Sequence, residues 1–434
     1  MQAYILETGR RIAPFDERPA EMRVHNRTLR QTQEQFLSEA GYRVEAIDDP
    51  SAISLFPCVL VYDDVYFTRP ALTGFLRLVK RAAASKRGQA NKVVNLRAAL
   101  ATSELTERFA PTFQGRQMDT ADGRTYRAYD LYHLRQFSPD RPLDDQAELA
   151  PIPYRMTVRN SRVNRYFEPT GRFALPMSFV AMCPIQHWAA LVTANAVGLP
   201  GHILDSARPL WLAAMKLPLA SAWRARSLRP SQVLGKSYLA GSGCVIHPSA
   251  YVEWSVLGNN VRIGPGAVVR GAVLGNRVEI GPNALVEYVT LGEKATVNGN
   301  VTLRLSVVGD EANVGAYFTQ LSVIGRGAAL CPSSGTYDFN LRGNVSVNFQ
   351  GRNISCGSRI LGSCLGHGAF LGANVTLASG QEIPNGCILV RSPRELVTDV
   401  NQGLPEGVVR MDRGRKTQRA NDGGPRRTGG ANGS

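Results

Sequence analysis

Three series of apolar residues recur at a constant interval in the C-terminal third of the chain. Within each series the step is seventeen residues, and neighbouring members of different series lie five or six residues apart. Such a repeat predicts a solenoid whose turns have three flat faces, each pointing one apolar side chain inward. The three series are Ile246, Ile263, Ile280, Val297 and Val314; Val252, Val269, Val286 and Leu303; and Leu257, Leu274, Leu291 and Val308.

Small and turn-forming residues follow the apolar anchors of this repeat. Residues 263–267 and 280–284 both read Ile-Gly-Pro-x-Ala, where Gly or Asn at x admits a tight corner. These hexapeptide repeats predict a left-handed parallel β-helix from about Val245 to Val390, because an up-and-down sandwich would not keep a fixed step over five coils. The register is lost between Leu330 and Ser355, which predicts an inserted or distorted coil.

Short apolar strands and amphipathic helices alternate in the N-terminal half. A strand at 3–6, a helix at about 29–39 and an apolar strand at 59–67 predict an α/β domain. Further helices are predicted at Ala98 to Phe109 and Pro209 to Lys216. The whole pattern predicts an α/β domain over residues 1–230, a β-helix over 240–397 and a disordered basic tail over 411–434.

Composition narrows the function classes. The 434 residues carry a net charge of +15, which suits an anionic partner, and the stretch from Arg410 to Arg427 contributes seven basic residues against two acids, a net of +5. We interpret the tail as a solvated spacer, with polyanion binding as the alternative, and do not expect nucleic acid as a partner. The seven cysteines include no close pair, so neither a zinc site nor a disulfide framework is indicated. The sequence has no run of eighteen apolar residues and no signal-like start, and we expect a cytoplasmic protein without a membrane span.

Two groups of charged residues in the N-terminal half are candidates for phosphate chemistry. Arg10 and Arg11 follow the first strand, and a guanidinium group binds phosphate through two parallel hydrogen bonds. Asp63 and Asp64 follow the apolar strand that starts at Val59, where carboxylates suit a hard cation held together with substrate phosphates. The alternative is that these two acids cap a turn or a helix, and both interpretations stay open.

The stretch from Glu7 to Val44 resembles the opening signature of the sugar-phosphate nucleotidyltransferases. The resemblance implies a nucleotidyltransferase-like α/β fold in which Asp63 and Asp64 bind magnesium. It departs from the family pattern at Glu7 and Thr8, which replace glycines, and at residues 20–21, which replace a Lys-Pro pair. The motif is therefore degenerate. Gly9, Arg11 and Arg18 fall on matching positions, whereas Arg10 replaces a threonine; these four residues are predicted to bind phosphate.

The repeats resemble the hexapeptide-repeat acyltransferases, which are trimers with acyl-CoA sites in the clefts between neighbouring β-helices. The segment from Pro184 to Asn195 is similar to the join between domains in relatives of the bifunctional UDP-N-acetylglucosamine pyrophosphorylase and glucosamine-1-phosphate N-acetyltransferase. The two resemblances together imply a homotrimer, acetyl-CoA or another acyl-CoA as cofactor, magnesium, and a sugar phosphate or nucleotide sugar as substrate.

An acyltransferase of this type uses a histidine as the base that deprotonates the acceptor. His367, just after the irregular region, is the predicted catalytic base, with a structural turn residue as the alternative. His247 is predicted to be a turn residue. Polar residues of the irregular region are candidates for binding the acceptor, or else an ordinary solvated loop: Tyr337, Asp338, Asn340, Asn348 and Arg352.

Three functions remain open from the sequence. The leading hypothesis is a sugar-nucleotide pathway transferase that moves an acyl group from acyl-CoA to an amino or hydroxy sugar. The first alternative is sugar-1-phosphate nucleotidyl transfer at the N-terminal site. The second is a non-catalytic trimeric scaffold or regulatory protein, which the departures from the nucleotidyltransferase motif favour.

Overall fold

The computed structural model describes residues 1–85, 95–102, 117–119, 124–162, 165, 171–208 and 217–392. Residues 1–388 form one compact unit, and 389–434 form a second, of which only 389–392 are described. The predicted basic tail and the helix predicted at Pro209 to Lys216 therefore lie outside the described residues. No described helix is both long and apolar enough to cross a membrane.

The N-terminal half is built around a mixed β-sheet. Its spatial order is β10-β7-β9-β5-β1-β4, with β8 also paired to β9. β1 is parallel to both β4 and β5, whereas β9 runs antiparallel to β5 and β7. The strands are β1 Gln2–Leu6, β2 Arg23–Val24, β3 Arg27–Thr28, β4 Arg43–Ile47, β5 Cys58–Tyr62, β6 Val65–Phe67, β7 Asn95–Ala101, β8 Gln117–Asp119, β9 Thr125–Leu134, β10 Ala147–Pro151, β11 Thr157–Arg162, β12 Arg172–Met177 and β13 Met182–Pro184.

Six described helices accompany the strands. They are α1 Leu29–Glu39, α2 Arg69–Ser85, α3 Trp188–Val197, α4 Leu199–Ala207, α5 Leu217–Ala225 and α6 Pro230–Leu234. α1 begins where predicted because Thr28 caps it, accepting from the backbone N–H of Gln31 while the Gln31 side chain accepts from Thr28. α1 and α2 pack on one face of the sheet through alternate residues of β1 and β5, such as Ile5 and Val61.

Two predictions for this half need correction. The strand predicted over 59–67 is two strands, β5 and β6, with Asp63 and Asp64 in the turn between them. The helix predicted at Ala98 to Phe109 is wrong over its first residues, because Ala98 to Ala101 belong to β7. β7 pairs with β9 and β10, so the backbone is hydrogen-bonded along both of its edges, and this pairing overrides the helical preference of alanine. Residues 103–109 lie outside the described residues.

The C-terminal part consists of stacked coils of short parallel strands and fits the predicted left-handed β-helix. The three series of the repeat stack as predicted, with Ile263 beside Ile280, Val269 beside Val286, and Leu274 beside Leu291. The first column contains Val245–Ile246, Arg262–Ile263, Glu279–Ile280, Thr296–Val297, Asn313–Val314, Ala329–Leu330 and Phe370–Leu371.

The other two columns meet in the long strand Tyr251–Leu257, which contributes to both and is also paired with Lys236–Ala240. The second continues through Val268–Arg270, Leu285–Glu287, Thr302–Arg304, Phe318–Gln320, Gly335–Thr336 and Thr376–Leu377. The third continues through Val273–Leu274, Thr290–Leu291, Val307–Val308, Val323–Ile324, Cys364–Leu365 and Glu382–Ile383, and the last described strand of the chain is Ile388–Leu389.

The irregular region is an insertion between two coils that still stack on each other. Ile324 pairs directly with Leu365, and Leu330 with Leu371, although 41 residues separate the partners. The extra residues include an antiparallel hairpin, Ser346–Phe349 and Arg352–Ser355, which we call the inserted hairpin. The predicted inserted or distorted coil is thus a segment that leaves the stack and returns to it, while the coils on either side of it stay paired.

Helix α3 packs between strands β2, β12 and β13 of the N-terminal half and the coils. Its residues are buried in a core that also contains Leu305, Leu321 and Val323 of the β-helix. Asn195 Oδ1 accepts hydrogen bonds from the backbone N–H of His25 (2.9 Å) and from Thr290 Oγ1 (2.7 Å). The two halves therefore share one core through α3, although their boundaries at residues 230 and 240 stay predictions.

Candidate functional site

The two predicted metal ligands lie in the turn between β5 and β6, at the carboxyl end of a central strand. Both aspartates are at most 1% exposed. Asp63 Oδ1 accepts hydrogen bonds from the backbone N–H (3.1 Å) and the hydroxyl (2.8 Å) of Thr8. Burial raises the pKa of Asp63, and the hydrogen bonds from Thr8 oppose this rise. Asp63 therefore holds the start of the loop that follows β1, as a turn-capping residue would.

Asp64 forms an ion pair with one of the predicted phosphate ligands. Its Oδ2 accepts from Arg10 Nη1 at 2.7 Å and from Gln186 Nε2 at 3.0 Å, while its Oδ1 is buried without a partner among the described residues. Burial raises the pKa of Asp64 to about 6, and the Arg10 charge and the Gln186 hydrogen bond oppose that rise. Arg10 thus neutralises the carboxylate.

These side chains do not fit a magnesium ion. Magnesium takes six oxygen ligands, usually including several waters, and competes poorly with a cation already in place. The guanidinium of Arg10 lies on Asp64, and Thr8 donates to Asp63. Within the described residues, no group of three or more His, Cys, Asp or Glu side chains is arranged to hold a metal. Magnesium binding by Asp63 and Asp64 stays a sequence prediction that the donor set does not support.

The remaining predicted phosphate-binding residues lie in the same loop, and the two arginines among them have carboxylate neighbours. Gly9 is exposed and has a positive φ of 65°. Arg11 Nη1 donates to the backbone oxygen of Asp16 (2.6 Å), and the Asp16 carboxylate lies 3.8 Å from the same nitrogen. Arg18 pairs with Glu7 at 3.0 Å, and Glu7 also pairs with an arginine of α1. A phosphate would have to displace these carboxylates, so phosphate binding here stays a prediction.

His367 belongs to a ladder of turn residues that joins successive coils. The backbone N–H of Arg326 donates to His367 Nδ1 (3.0 Å), and the backbone N–H of His367 donates to Asn385 Oδ1 (2.7 Å). Asn259 and Asn276 form the same contact earlier in the stack, at 2.8 Å. In this ladder, a side chain of one coil accepts from the backbone of the coil before it, and His367 takes the place that asparagine holds elsewhere.

The loop after β1 covers the other side of the His367 ring. Phe15 lies against it with ring centroids 4.8 Å apart, and Glu17 Oε1 is 3.3 Å from Nε2. Burial alone would raise the pKa of Glu17, but the contact with His367 and the charge of Arg326 lower it below its usual value. Because Nδ1 accepts a hydrogen bond, the ring proton is on Nε2, facing Glu17. This geometry favours the structural role, and the catalytic role stays a prediction.

An open groove of about 730 Å³ lies between the loop after β1, the inserted hairpin and the last coils; we call it the hairpin groove. Asn340 and Asn348, two of the predicted acceptor-binding residues, line it. Gly380, also in the lining, has a φ of +78°, and a Cβ there would lie 2.3 Å from the backbone oxygen of Ser346. Glycine thus allows the hairpin to cross the coil closely enough to form the groove wall.

Glu382 contributes a fixed carboxylate to this groove. Its Oε1 accepts from Trp188 Nε1 at 2.8 Å and lies 3.0 Å from His187 Nε2. Both partners come from the start of α3 and are at most 2% exposed, whereas the Glu382 side chain is 13% exposed. Glu382 is not apparent as a site residue in the sequence, because its position in a repeat marks it only as a coil residue. The one indication in the sequence was indirect, because the loss of register predicts an inserted or distorted coil that ends before Glu382.

His247 agrees with its predicted turn role, since its Nδ1 lies 2.8 Å from Ser249 Oγ and accepts from the Ser249 backbone at 3.2 Å. Tyr337 is 64% exposed, and Arg352 is exposed on the inserted hairpin. Of the predicted acceptor-binding residues, only Asn340 and Asn348 therefore line the hairpin groove.

Comparison with known proteins finds hexapeptide relatives for the coils. Residues 228–320 match the family model described as GlmU-like, C-terminal hexapeptide. A hexapeptide transferase family protein from Anaplasma phagocytophilum is 18% identical over 38% of this chain and 80% of its own, with a TM-score of 0.21. LpxA from Acinetobacter baumannii is 15% identical over 36% of this chain and 72% of its own, with a TM-score of 0.19. No curated protein matches the chain.

Proposed function

We propose that the chain is an acyltransferase of the hexapeptide β-helix type, which transfers an acyl group from acyl-CoA to an amino or hydroxy sugar. The observation that carries this proposal is the hairpin groove. The coils stack without interruption, yet the chain leaves the stack once, and this excursion helps form a polar concavity. The match of residues 228–320 to a hexapeptide model supports the same function class.

The size and lining of the groove suit a sugar acceptor. Small-molecule sites occupy about 300 to 1,000 Å³, and the groove, at about 730 Å³, is in that range. The outer faces of stacked coils are flat, so a concavity on this fold needs an added element. The inserted hairpin supplies it, together with Ala13 and Pro14 from the loop after β1.

The proposed reaction forms a bond between the acceptor nitrogen or oxygen and the thioester carbonyl carbon. The carbon–sulfur bond breaks, CoA leaves as the thiolate, and the acceptor proton passes through a base to the sulfur. His367 is the base proposed from the sequence. To act as one, its ring must exchange the contact with Arg326 or Glu17 for one with the acceptor.

The experiment is a CoA-release assay with acetyl-CoA and a panel of amino and hydroxy sugars, using the full chain. We expect thiol release above the rate of acetyl-CoA hydrolysis with at least one acceptor, and a rise in apparent stability with acyl-CoA. Absence of both effects over a range of acyl chain lengths would reject acyl transfer. The proposed homotrimer is checked on the same sample by sedimentation, where a monomer would contradict it.

A non-catalytic scaffold is the second candidate, and a specific observation favours it. Arg10 lies on Asp64 where the nucleotidyltransferase resemblance expects a metal, and His367 serves in a turn ladder. If this candidate holds, neither acyl-CoA nor a nucleoside triphosphate with magnesium binds. Magnesium-dependent binding of UTP that is lost in Asp64→Ala would instead restore the nucleotidyltransferase hypothesis.

A further inference from the structure

We propose that the hairpin groove recognises the primary amine of a polyhydroxylated ligand that carries no phosphate, and that Glu382 is the carboxylate that binds this amine. The inference rests on the proposed function for the acyl-transfer step only, since amine binding is measurable without a donor. It also sharpens the substrate class, because the sequence alone implies a sugar phosphate or nucleotide sugar.

The carboxylate of Glu382 is held rigidly. Its Oε1 is held by two donors from the start of α3, Trp188 Nε1 and His187 Nε2. Both donors are at most 2% exposed, and Trp188 belongs to the core that α3 shares with the coils, so they are fixed before a ligand arrives. A carboxylate held in this way loses little conformational entropy on binding.

The charge of Glu382 leaves room for a cationic ligand group. The backbone N–H of Ala189 donates to His187 Nδ1 at 3.2 Å, so Nε2 is the nitrogen that donates, and it lies 3.0 Å from Glu382 Oε1 and 3.1 Å from the backbone oxygen of Asn348. Among the described residues, no Lys or Arg side chain pairs with Glu382, and His187 is the one basic side chain placed within 4 Å of it. The carboxylate therefore has hydrogen-bond donors but no Lys or Arg partner, and a ligand ammonium group would complete the pair.

The rest of the groove lining is mostly polar and uncharged. Asn340, Asn348, Asn353 and Gln381 line the groove together with two serines, and Glu382 is its one charged lining residue. Amides and hydroxyls both donate and accept, which suits the hydroxyl groups of a sugar. Phosphate binding relies on Arg, Lys or clustered backbone N–H groups, and an uncompensated carboxylate opposes it. The groove therefore favours an amine and disfavours a phosphate.

The test measures binding of three probes to the full chain by calorimetry at neutral pH, without acyl-CoA. The probes are glucosamine, N-acetylglucosamine, in which the amine is blocked, and glucosamine 1-phosphate. We expect glucosamine to bind at least tenfold more tightly than the other two. Equal or tighter binding of the blocked or phosphorylated sugar would overturn the inference.

The variant Glu382→Gln tests whether Glu382 is the residue that binds the amine. The amide oxygen still accepts from Trp188 and His187, so the fold is retained, but the charge is lost and glucosamine affinity should fall at least tenfold. The matched control is Glu279→Gln, an exposed coil glutamate paired with Arg262, which should leave the affinity unchanged. Unchanged affinity in folded Glu382→Gln would remove Glu382 from the site.

A second variant keeps the inference testable if Glu382→Gln does not fold. Asn353 is exposed on the inserted hairpin, so Asn353→Asp and Asn353→Lys change the charge of the groove without touching the core. Asp should strengthen glucosamine binding and Lys should weaken it, and the absence of opposite effects would contradict the inference. Tight amine binding without CoA release would contradict acyl transfer alone, whereas CoA release with hydroxyl acceptors only would contradict the amine site alone.

Discussion

The β-helix and the N-terminal sheet differ in how far along the chain their contacts reach. In the coils, Ile263 pairs with Ile280, one repeat away, and the same contact recurs through the stack. In the sheet, Gln2 pairs with Arg43 on one side and Cys58 on the other, and no other described strand of the sheet repeats that arrangement. The spacing of a repeat shows in the sequence which residue each strand pairs with, whereas the sequence of a sheet strand does not identify its pairing partner.

The two regions also differ in what they contribute to the hairpin groove. The coils supply Glu382, and the N-terminal half supplies the side chains that hold it, from the start of α3. The coils alone would present Glu382 as one more surface residue. The predictions below test whether the regions depend on each other in this way.

The largest effect is expected from Trp188→Ala. Trp188 is fully buried in the core shared by the two regions, and its indole N–H donates to Glu382. Truncation of a buried tryptophan costs about 3 to 5 kcal/mol of unfolding free energy. Because this residue joins the regions, we also expect chemical denaturation to separate into two transitions.

The matched control is Trp223→Ala, since Trp223 is 84% exposed and should change the unfolding free energy by less than about 0.5 kcal/mol. A single transition with an equally small loss in Trp188→Ala would show that α3 does not couple the regions.

The next effect concerns the seating of the inserted hairpin. In Gly380→Ala, the new Cβ would meet the backbone oxygen of Ser346 and a residue with φ of +78° would be strained. Gly327→Ala is the control, because Gly327 has a φ of +63° but open space around its Cβ position. We expect about 1 kcal/mol of destabilisation for Gly327→Ala and about 3 kcal/mol for Gly380→Ala, measured by denaturation. Equal losses would mean that the hairpin does not depend on this close approach.

Sequence reasoning could predict the β-helix because one inward position decides each strand. It identified Ile263, Val269 and Leu274 as members of three columns, and the stacking confirms this. It also located the interruption, because the coils before and after must keep their register. It could not predict that an antiparallel hairpin fills the interruption, since no periodicity describes a single excursion.

The N-terminal half was less predictable because partners decide its structure. Ala98 has a high helix propensity, yet it lies in β7 between two other strands. The sequence did identify Arg10 and Asp64 as residues of one site, and they are in contact. What it could not show is that they bind each other, and metal and phosphate binding there stay predictions.

A smaller effect, dependent on pH, is expected at the contact between the loop before α1 and α4. His25 is 2% exposed and stacks on His202 at 4.5 Å. Burial lowers the pKa of His25 to about 4, although its hydrogen bond with Asn195 opposes this. A lowered folded pKa means that the neutral ring stabilises the fold above the unfolded value near 6.5, and that this stability is lost as the pH falls towards 4.

We therefore expect His25 alone to remove about 2 kcal/mol of unfolding free energy between pH 7.5 and pH 5. His25→Asn keeps a residue that tolerates the positive φ of 51° but does not titrate. The variant should lose less stability than the wild type over this range, whatever its stability at pH 7.5. Parallel pH profiles for the two proteins would show that His25 is not buried in the neutral form.

The smallest effect on stability is expected from His367→Asn, and it separates the two roles of this residue. Asparagine already accepts the backbone hydrogen bond at the equivalent positions Asn259 and Asn276. His367→Asn should therefore retain the ladder and change the unfolding free energy by less than about 1 kcal/mol, whereas His367→Ala leaves the N–H of Arg326 without its acceptor and should cost about 1 kcal/mol. If His367 is only a ladder residue, acyl transfer by the asparagine variant equals that of the wild type. If it is the base, the rate falls by about 10² to 10⁴ while stability is kept, because asparagine cannot take a proton from the acceptor.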